Sequence, residues 1–323
     1  MNPWQQRMNA LGQARTPFLF IIDFEQRQPL VLPLSEVNPE ELRYAFRGVS
    51  NGLPGPCSDE KLVLQRSRLD AETYRRSFNY VQQQLQAGNS FLVNLTFPTE
   101  IRLNLSLRDL FCRAQAPYRL WWNDALVVFS PESFVRIADG QISTYPMKGT
   151  IDATLPDAQQ KIRHDPKEIA EHATIVDLLR NDLSRHATRV RVERFRYVEE
   201  IATSRAPLLQ VSSEIVGQLP PDYHGRLGDL LSDLLPAGSV SGAPKPKTLQ
   251  IIRAAELGPR GYYTGVMGHF DGERLDSAVM IRFIERVGEQ YFFRSGGGIT
   301  ARSTLEAEYQ ELHDKVYVPL VCQ

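Results

Sequence analysis

Apolar positions along this chain follow two periods. Short continuous or alternating runs dominate, and helical spacing appears in only a few longer windows. FLFIIDF (18–24) and PLVLPL (29–34) flank the polar EQRQ segment as the arms of a hairpin would. Residues 70–87 are polar apart from Tyr74, Phe78, Val81 and Leu85 at helical spacing, and Gly88 follows as a C-terminal stop. Strand-like runs then accumulate at 91–97 (FLVNLTF), 125–130, 133–138, 190–195 (VRVERF), 206–217, 277–287 (SAVMIRFIERV) and 290–296. Three further helical patterns fall at 166–184, 247–257 and 304–316, and NGLPGPCSD (51–59) reads as a loop. Strands outnumber helices and adjoin through short turns. The pattern predicts an α+β fold of large antiparallel β-sheets with helices packed outside.

Composition narrows the function. The chain has 323 residues, 42% hydrophobic and 23% charged, which suffices for a full core. Thirty-seven basic against 38 acidic residues give a net charge of −1, so no electrostatic footprint for nucleic acid or an anionic membrane exists. The N-terminus MNPWQQRMNALGQAR lacks an apolar h-region, and no stretch approaches the roughly 18 apolar residues of a membrane helix. A cytoplasmic protein without a membrane partner is expected. Cys57, Cys112 and Cys322 are far apart in sequence and in no CxxC spacing, which predicts reduced thiols rather than a disulfide framework or a zinc site.

Four carboxylates stand out. In DPKEIAEHATIVDLLRNDLSR (165–185), Glu168 and Glu171 are three apart, and Ile175 and Leu178 continue their face. In TLEAEYQELHDKV (304–316), Glu308 and Glu311 repeat the spacing beside Leu305 and Leu312, so each pair is expected to be half-buried. Ionised carboxylates on an apolar stripe need a cation or a proton. An oxygen-only ligand set favours Mg²⁺ over Zn²⁺. Glutamates at i, i+3 are also common on solvated faces, so spacing leaves the metal and surface readings level.

Glycines mark two more places. LLPAGSVSGAPK (234–245) brings Gly238, Ser239, Ser241 and Gly242 before a helix, where backbone N–H groups can cradle an anion, yet the spacing is not that of a phosphate-binding P-loop. In RSGGGIT (294–300), Gly296 to Gly298 follow a strand, suiting either close approach to a ligand or a tight turn. VMIRF (279–283) puts Arg282 in an apolar strand, where it needs a buried acid or a substrate carboxylate. Lys148, in STYPMKGT (143–150), gains meaning only beside a bound cation, which would favour a neutral, nucleophilic amine.

Taken together these residues resemble the chorismate-utilising enzymes: anthranilate synthase component I, aminodeoxychorismate synthase component I, isochorismate synthases and salicylate synthases. The resemblance runs from about residue 70 to the C-terminus through VNLT (93–96), SPESF (130–134), PMKGT (146–150), KEIAEHATIVDLLRNDL (167–183), PAGSVSGAPK (236–245), RGYYTG (260–265), IRF (281–283), SGGGIT (295–300) and EAEYQEL (306–312). It implies two large antiparallel sheets in one intertwined unit with the active site between them. Residues 1–69 would be a short N-terminal part of that assembly and 70–323 the chorismate-binding catalytic part.

Carried over by position, Glu171 and Glu311 resemble direct Mg²⁺ ligands, with Glu168 and Glu308 completing the shell through water. Tyr263 and Arg282 resemble contacts to the enolpyruvyl carboxylate, with backbone N–H groups near Gly296 and Gly298; Ser239 and Gly242 belong to the loop at the ring carboxylate. Lys148 is the discriminating residue: in this slot anthranilate synthases carry alanine and aminodeoxychorismate synthases carry lysine. The isochorismate-type base is missing, because Leu92 stands in its place. The implied reaction makes 4-amino-4-deoxychorismate from chorismate and ammonia, on the way to p-aminobenzoate and folate, through a covalent Lys148 adduct. Glu132 in SPESF matches the general acid for the departing C4 hydroxyl. A separate glutamine amidotransferase subunit (component II) would supply the ammonia, as no Cys-His glutaminase constellation is visible. Two features depart from the family: Gln210 replaces a histidine, and the LLES-like tryptophan pocket motif is absent. The alternatives are anthranilate synthase component I and a chorismate-binding regulatory module without catalysis.

Overall fold

The computed structural model describes residues 2–52, 57–164, 166–201 and 207–320. Helix α1 (Pro3–Gln13) precedes the expected hairpin, β1 (Phe18–Ile22) and β2 (Leu30–Pro33). Strands β3 (Leu42–Phe46), β4 (Val49–Ser50) and β5 (Leu64–Arg66) lead to α2 (Ala71–Gln86). The Asp70 carboxylate caps α2 by accepting the Thr73 N–H at 2.8 Å, and Gly88, at φ +74°, ends it in a conformation that costs glycine little.

Next come β6 (Leu92–Leu103), α3 (Leu107–Arg113), β7 (Tyr118–Trp122), β8 (Leu126–Ser130), β9 (Ser133–Ala138), β10 (Gln141–Thr144) and β11 (Met147–Asp152). They are followed by α4 (Ala158–His164), α5 (Pro166–Ser184), β12 (Thr188–Ile201), β13 (Leu208–Gln218), α6 (Leu227–Leu234), β14 (Gly242–Ala243) and α7 (Lys245–Ala255). The chain closes with β15 (Val266–Phe270), β16 (Leu275–Val279), β17 (Phe283–Val287), β18 (Gln290–Ile299) and α8 (Leu305–Asp314). None of these helices is long and apolar enough to cross a membrane.

Among the described residues the strands form two nine-stranded antiparallel sheets. The first runs β11-β13-β10-β9-β16-β15-β1-β2, with β12 also on β13; the second runs β14-β6-β18-β17-β8-β7-β3-β4, with β5 on β6. This is the α+β architecture that the strand runs predict. Strands from residues 1–69 enter both sheets, since β1 pairs β15 and β3 pairs β7.

Period-two alternation sorts the side chains into layers. Along β8, Leu126 and Val128 enter the core between the sheets, whereas Val127 and Phe129 pack on the far side of the second sheet. All five positions of β1 are buried, because Leu19 and Ile21 face the second sheet while Phe18, Phe20 and Ile22 meet Trp4, Met8, Leu227 and Leu231 from α1 and α6. That double cover explains its unbroken apolar run. Each such side chain contributes about 1.5–3 kcal/mol on burial.

Two expectations need correction. The run 277–287 is two strands, not one: β16 belongs to the first sheet and β17 to the second, and Arg282 turns the chain between them at φ +53°. Apolar character on both sides of the bend hid it, since both strands are core strands. Gly296 to Gly298 lie inside β18 rather than after it, paired with Thr96, Leu95 and Asn94 of β6. Cys57 and Cys112, distant in sequence, share a hydrogen bond between their thiols; burial, then that contact, raises the Cys112 thiol to about 11. Cys322 lies outside the described residues.

Candidate active site

Two segments cross from sheet to sheet side by side. One, between β8 and β9, carries Glu132; the other, between β16 and β17, carries Arg282. Val279 N–H donates to the Glu132 carbonyl at 3.1 Å, and Phe129 N–H to the Arg282 carbonyl at 3.0 Å. The RGYYTG turn joins this seam, with Thr264 N–H on the Met280 carbonyl and Met280 N–H on the Gly265 carbonyl, both at 2.8 Å. Chain crossings thus gather Glu132, Tyr263 and Arg282 from three separate motifs.

Arg282 is half-buried at its bend, not enclosed in a strand. Its Nη1 donates to the Lys315 carbonyl at 2.8 Å, and its guanidinium lies 4.6 Å over the Tyr317 ring. The cation therefore has a partner before any ligand arrives. Tyr263 is buried with its ring 5.8 Å from that of Phe283. Burial pushes its phenol up to about 12, with Arg260 and Arg282 pulling the other way, so it stays a hydrogen-bond donor at physiological pH.

The glycine strand borders the same group. β17 pairs β18 only as far as Arg294, so Gly296 to Gly298 lie beyond that pairing, with β6 on their other side. Lys315 Nζ donates to the Gly296 carbonyl at 2.8 Å and meets Glu311 Oε1 at 2.6 Å. Above Gly297, a Cβ would stand 3.2 Å from Glu308 Oε2 and 3.7 Å from Glu311 Oε1; glycine keeps that space open for two carboxylates. Glu308 is 5% exposed, yet Glu311 is solvent-exposed rather than half-buried as its stripe suggests. It sits at the rim of α8, where Lys315 offsets its charge.

On the first sheet's side, Ser239 Oγ donates to Glu132 Oε1 at 2.5 Å across a small pocket lined also by Tyr145, Pro146 and Leu179. Pro146 leads directly into β11, the strand that carries Lys148, whose side chain lies outside the described residues. Gly149, at φ +80°, faces α5: a Cβ there would lie 2.9 Å from Glu168 Oε2. Glu168 and Glu171 are both half-buried on α5, as their stripe predicts. Gln210 is buried on β13, in register with Thr150 of β11. Gly242 has a packing explanation: at φ +134°, its Cβ would stand 1.9 Å from the Leu92 carbonyl, so only glycine lets β14 lie against β6 and close the Ser239 loop.

The carboxylates stand as two pairs, on α5 and on α8, and among the described residues no three acidic, histidine or cysteine side chains are gathered as a closed metal cage. Beside Gly297, Glu308 and Glu311 present carboxylate oxygens of the kind a hard ion such as Mg²⁺ takes, and Lys315 Nζ shares that space, 3.9 Å from the same Cβ position.

Two features escaped the sequence reading. Lys315 follows Glu311 by four residues on the same helical stripe, a spacing that could have signalled it. The buried pair Glu256–Arg260 (2.7 Å) gives no such signal, because its worth depends on segments far away in the chain.

The chain matches a family model described as chorismate binding enzyme over residues 35–321, and it belongs to that family. It is 54% identical to an uncharacterized PabA-like protein of Pasteurella multocida (strain Pm70), over 98% of both chains. It is 35% identical to aminodeoxychorismate synthase component 1 of Escherichia coli (strain K12), over 78% of this chain and 57% of that one. Among solved structures it is similar to MenF, the menaquinone-specific isochorismate synthase of Escherichia coli, with a TM-score of 0.72 at 17% identity, over 97% of this chain and 79% of that one. At that identity the likeness is one of fold.

Proposed function

We propose that this member of the chorismate-binding family is an aminodeoxychorismate synthase component I, converting chorismate and ammonia to 4-amino-4-deoxychorismate. The observation that carries this reading is the pocket where Glu132 and Ser239 meet at 2.5 Å beside the strand of Lys148. The similarity to the Escherichia coli aminodeoxychorismate synthase supports it.

In this reading Lys148 attacks C2 of chorismate as the C4 hydroxyl leaves, protonated by Glu132; ammonia then attacks C4 and expels the lysine amine. Tyr263, Arg282 and Lys315 orient the enolpyruvyl carboxylate against the Gly296 strand edge, and Ser239 fixes the Glu132 carboxyl. Glu171 and Glu311 would hold Mg²⁺, with Glu168 and Glu308 behind it. The ion would supply positive charge to the ring carboxylate. A glutamine amidotransferase component II is the partner this reaction calls for. An anthranilate synthase would instead eliminate pyruvate after amination at C2, which leaves Lys148 without a task.

The test is mass analysis of products from chorismate, Mg²⁺ and ammonium at mildly alkaline pH, with wild type and Lys148→Ala. Aminodeoxychorismate from the wild type, chorismate binding retained in the variant and turnover lowered by orders of magnitude are expected. Withholding ammonia should trap a substrate adduct on the peptide containing Lys148. Anthranilate as the wild-type product, or rate and product unchanged in Lys148→Ala, refutes the assignment.

A further inference from the structure

Arg260 is 1% exposed, yet all five of its guanidinium N–H groups are spoken for. Nε and Nη2 donate to Glu256 Oε2 and Oε1 at 3.0 and 2.7 Å. Nη1 donates to the Val240 carbonyl at 2.7 Å and to Thr264 Oγ1 at 3.2 Å, and Nη2 reaches the Asn94 carbonyl at 2.7 Å. One face of the guanidinium lies 4.5 Å from the Phe24 ring centroid. Glu256 does more than balance the charge. Its Oε1 also accepts the N–H and Oγ1 of Thr96, at 2.9 and 3.0 Å, holding the edge of β6 where β14 no longer pairs.

The partners are not a random set. Val240 adjoins Ser239, the donor to Glu132. Thr264 adjoins Tyr263. Asn94 and Thr96 stand opposite Gly298 and Gly296 in the β6–β18 register. A single ion pair therefore ties the Ser239 loop and the Tyr263 turn to β6, the strand paired with the glycines of β18, and it touches none of the reacting groups itself. Glu25 fixes the approach to the turn by accepting the N–H groups of Arg260 and Gly261 at 2.9 and 3.0 Å.

We propose that Arg260, clamped by Glu256, is a positioning residue that sets the spacing of the Ser239 loop, the Tyr263 turn and the Gly296 strand, and thereby the affinity for the substrate's two carboxylates. The physical reason is the planar fork: five donors of fixed geometry hold three chain segments at fixed separations, whereas a lysine ammonium offers three donors and no plane. This inference rests on the reading that the site binds chorismate.

The experiment compares wild type with Arg260→Lys and Glu256→Gln, measuring the chorismate dissociation constant, KM and kcat well below each variant's melting temperature, with circular dichroism to confirm the fold. Chorismate binding weakened at least tenfold, with KM raised in step in both folded variants, is expected. The double variant should be little worse than either single one, because one clamp is lost in each case. Folded variants with lowered melting temperature but chorismate affinity within twofold of wild type would show a purely structural pair and overturn the proposal. A wild type that does not bind chorismate would instead refute the functional reading, a different outcome. Should Arg260→Lys fail to fold, Thr96→Val removes one hydroxyl at the margin of the same cluster: a KM raised severalfold supports the role, and an unchanged KM refutes it.

Discussion

Ser239 Oγ and Glu132 Oε1 lie 2.5 Å apart although 107 residues separate them, one on a glycine-rich turn and the other on a crossing between the two sheets. A hydroxyl that donates to a carboxyl oxygen fixes the orientation of that carboxyl group. Glu132→Gln should keep the fold and the hydrogen bond but lower kcat roughly a hundredfold or more, the usual range for a lost general acid. Ser239→Ala should cost less, because the carboxyl remains. Steady-state kinetics of both variants check this; a Glu132→Gln enzyme with unchanged kcat removes the residue from the chemistry.

The two carboxylate pairs lead to a metal prediction. Glu171→Gln and Glu311→Gln should each abolish activity mainly by weakening Mg²⁺ and substrate binding together, since one hard ligand charge is lost. Chelation of the wild type should do the same reversibly. Magnesium titration of activity is the measurement, and an unaltered magnesium dependence in either variant takes that residue out of the proposed site.

Gly149 can be tested through its own geometry. Alanine at φ +80° costs about 1 kcal/mol or more in backbone strain, and its Cβ would press on Glu168 Oε2, 2.9 Å away. Gly149→Ala should lower the urea midpoint modestly and activity much more. Full activity in a measurably destabilised variant would dissociate Glu168 from the site.

Acid should weaken the fold in a predictable direction. His269, 5% exposed with its ring stacked 6.4 Å from that of Tyr44 and 6.0 Å from that of Phe46, has its pKa lowered by burial, with Asp276 and Asp271 opposing; His186, His224 and His313 are lowered by burial too. Below about pH 6.5 the unfolded chain binds protons that the folded chain refuses, so stability is full above that value and is lost as pH falls toward the folded pKa values. Urea midpoints measured between about pH 7.5 and 5.5 should fall, and His269→Gln should flatten the slope. An equal slope in that variant assigns the loss to the other histidines.

The sequence by itself determined the elements and much of the chemistry. Periodicity defined α2 and α5 because their apolar stripes face one packed layer each, and the local spacing of Glu168 with Glu171 and Glu308 with Glu311 is preserved in any helix. Only the tertiary structure decided the rest. The break at Arg282 was hidden because β16 and β17 are both apolar core strands, and hydrophobicity does not say which sheet a strand joins. Glu311 proved exposed while Glu308 is buried, since a helix stripe cannot report where its neighbour's edge ends. Lys315 against Glu311 was readable in principle from spacing. The contacts of Arg260 with Asn94, Val240 and Thr264 were not, because they arise where chain crossings bring distant segments together, and no local pattern of residues encodes that meeting.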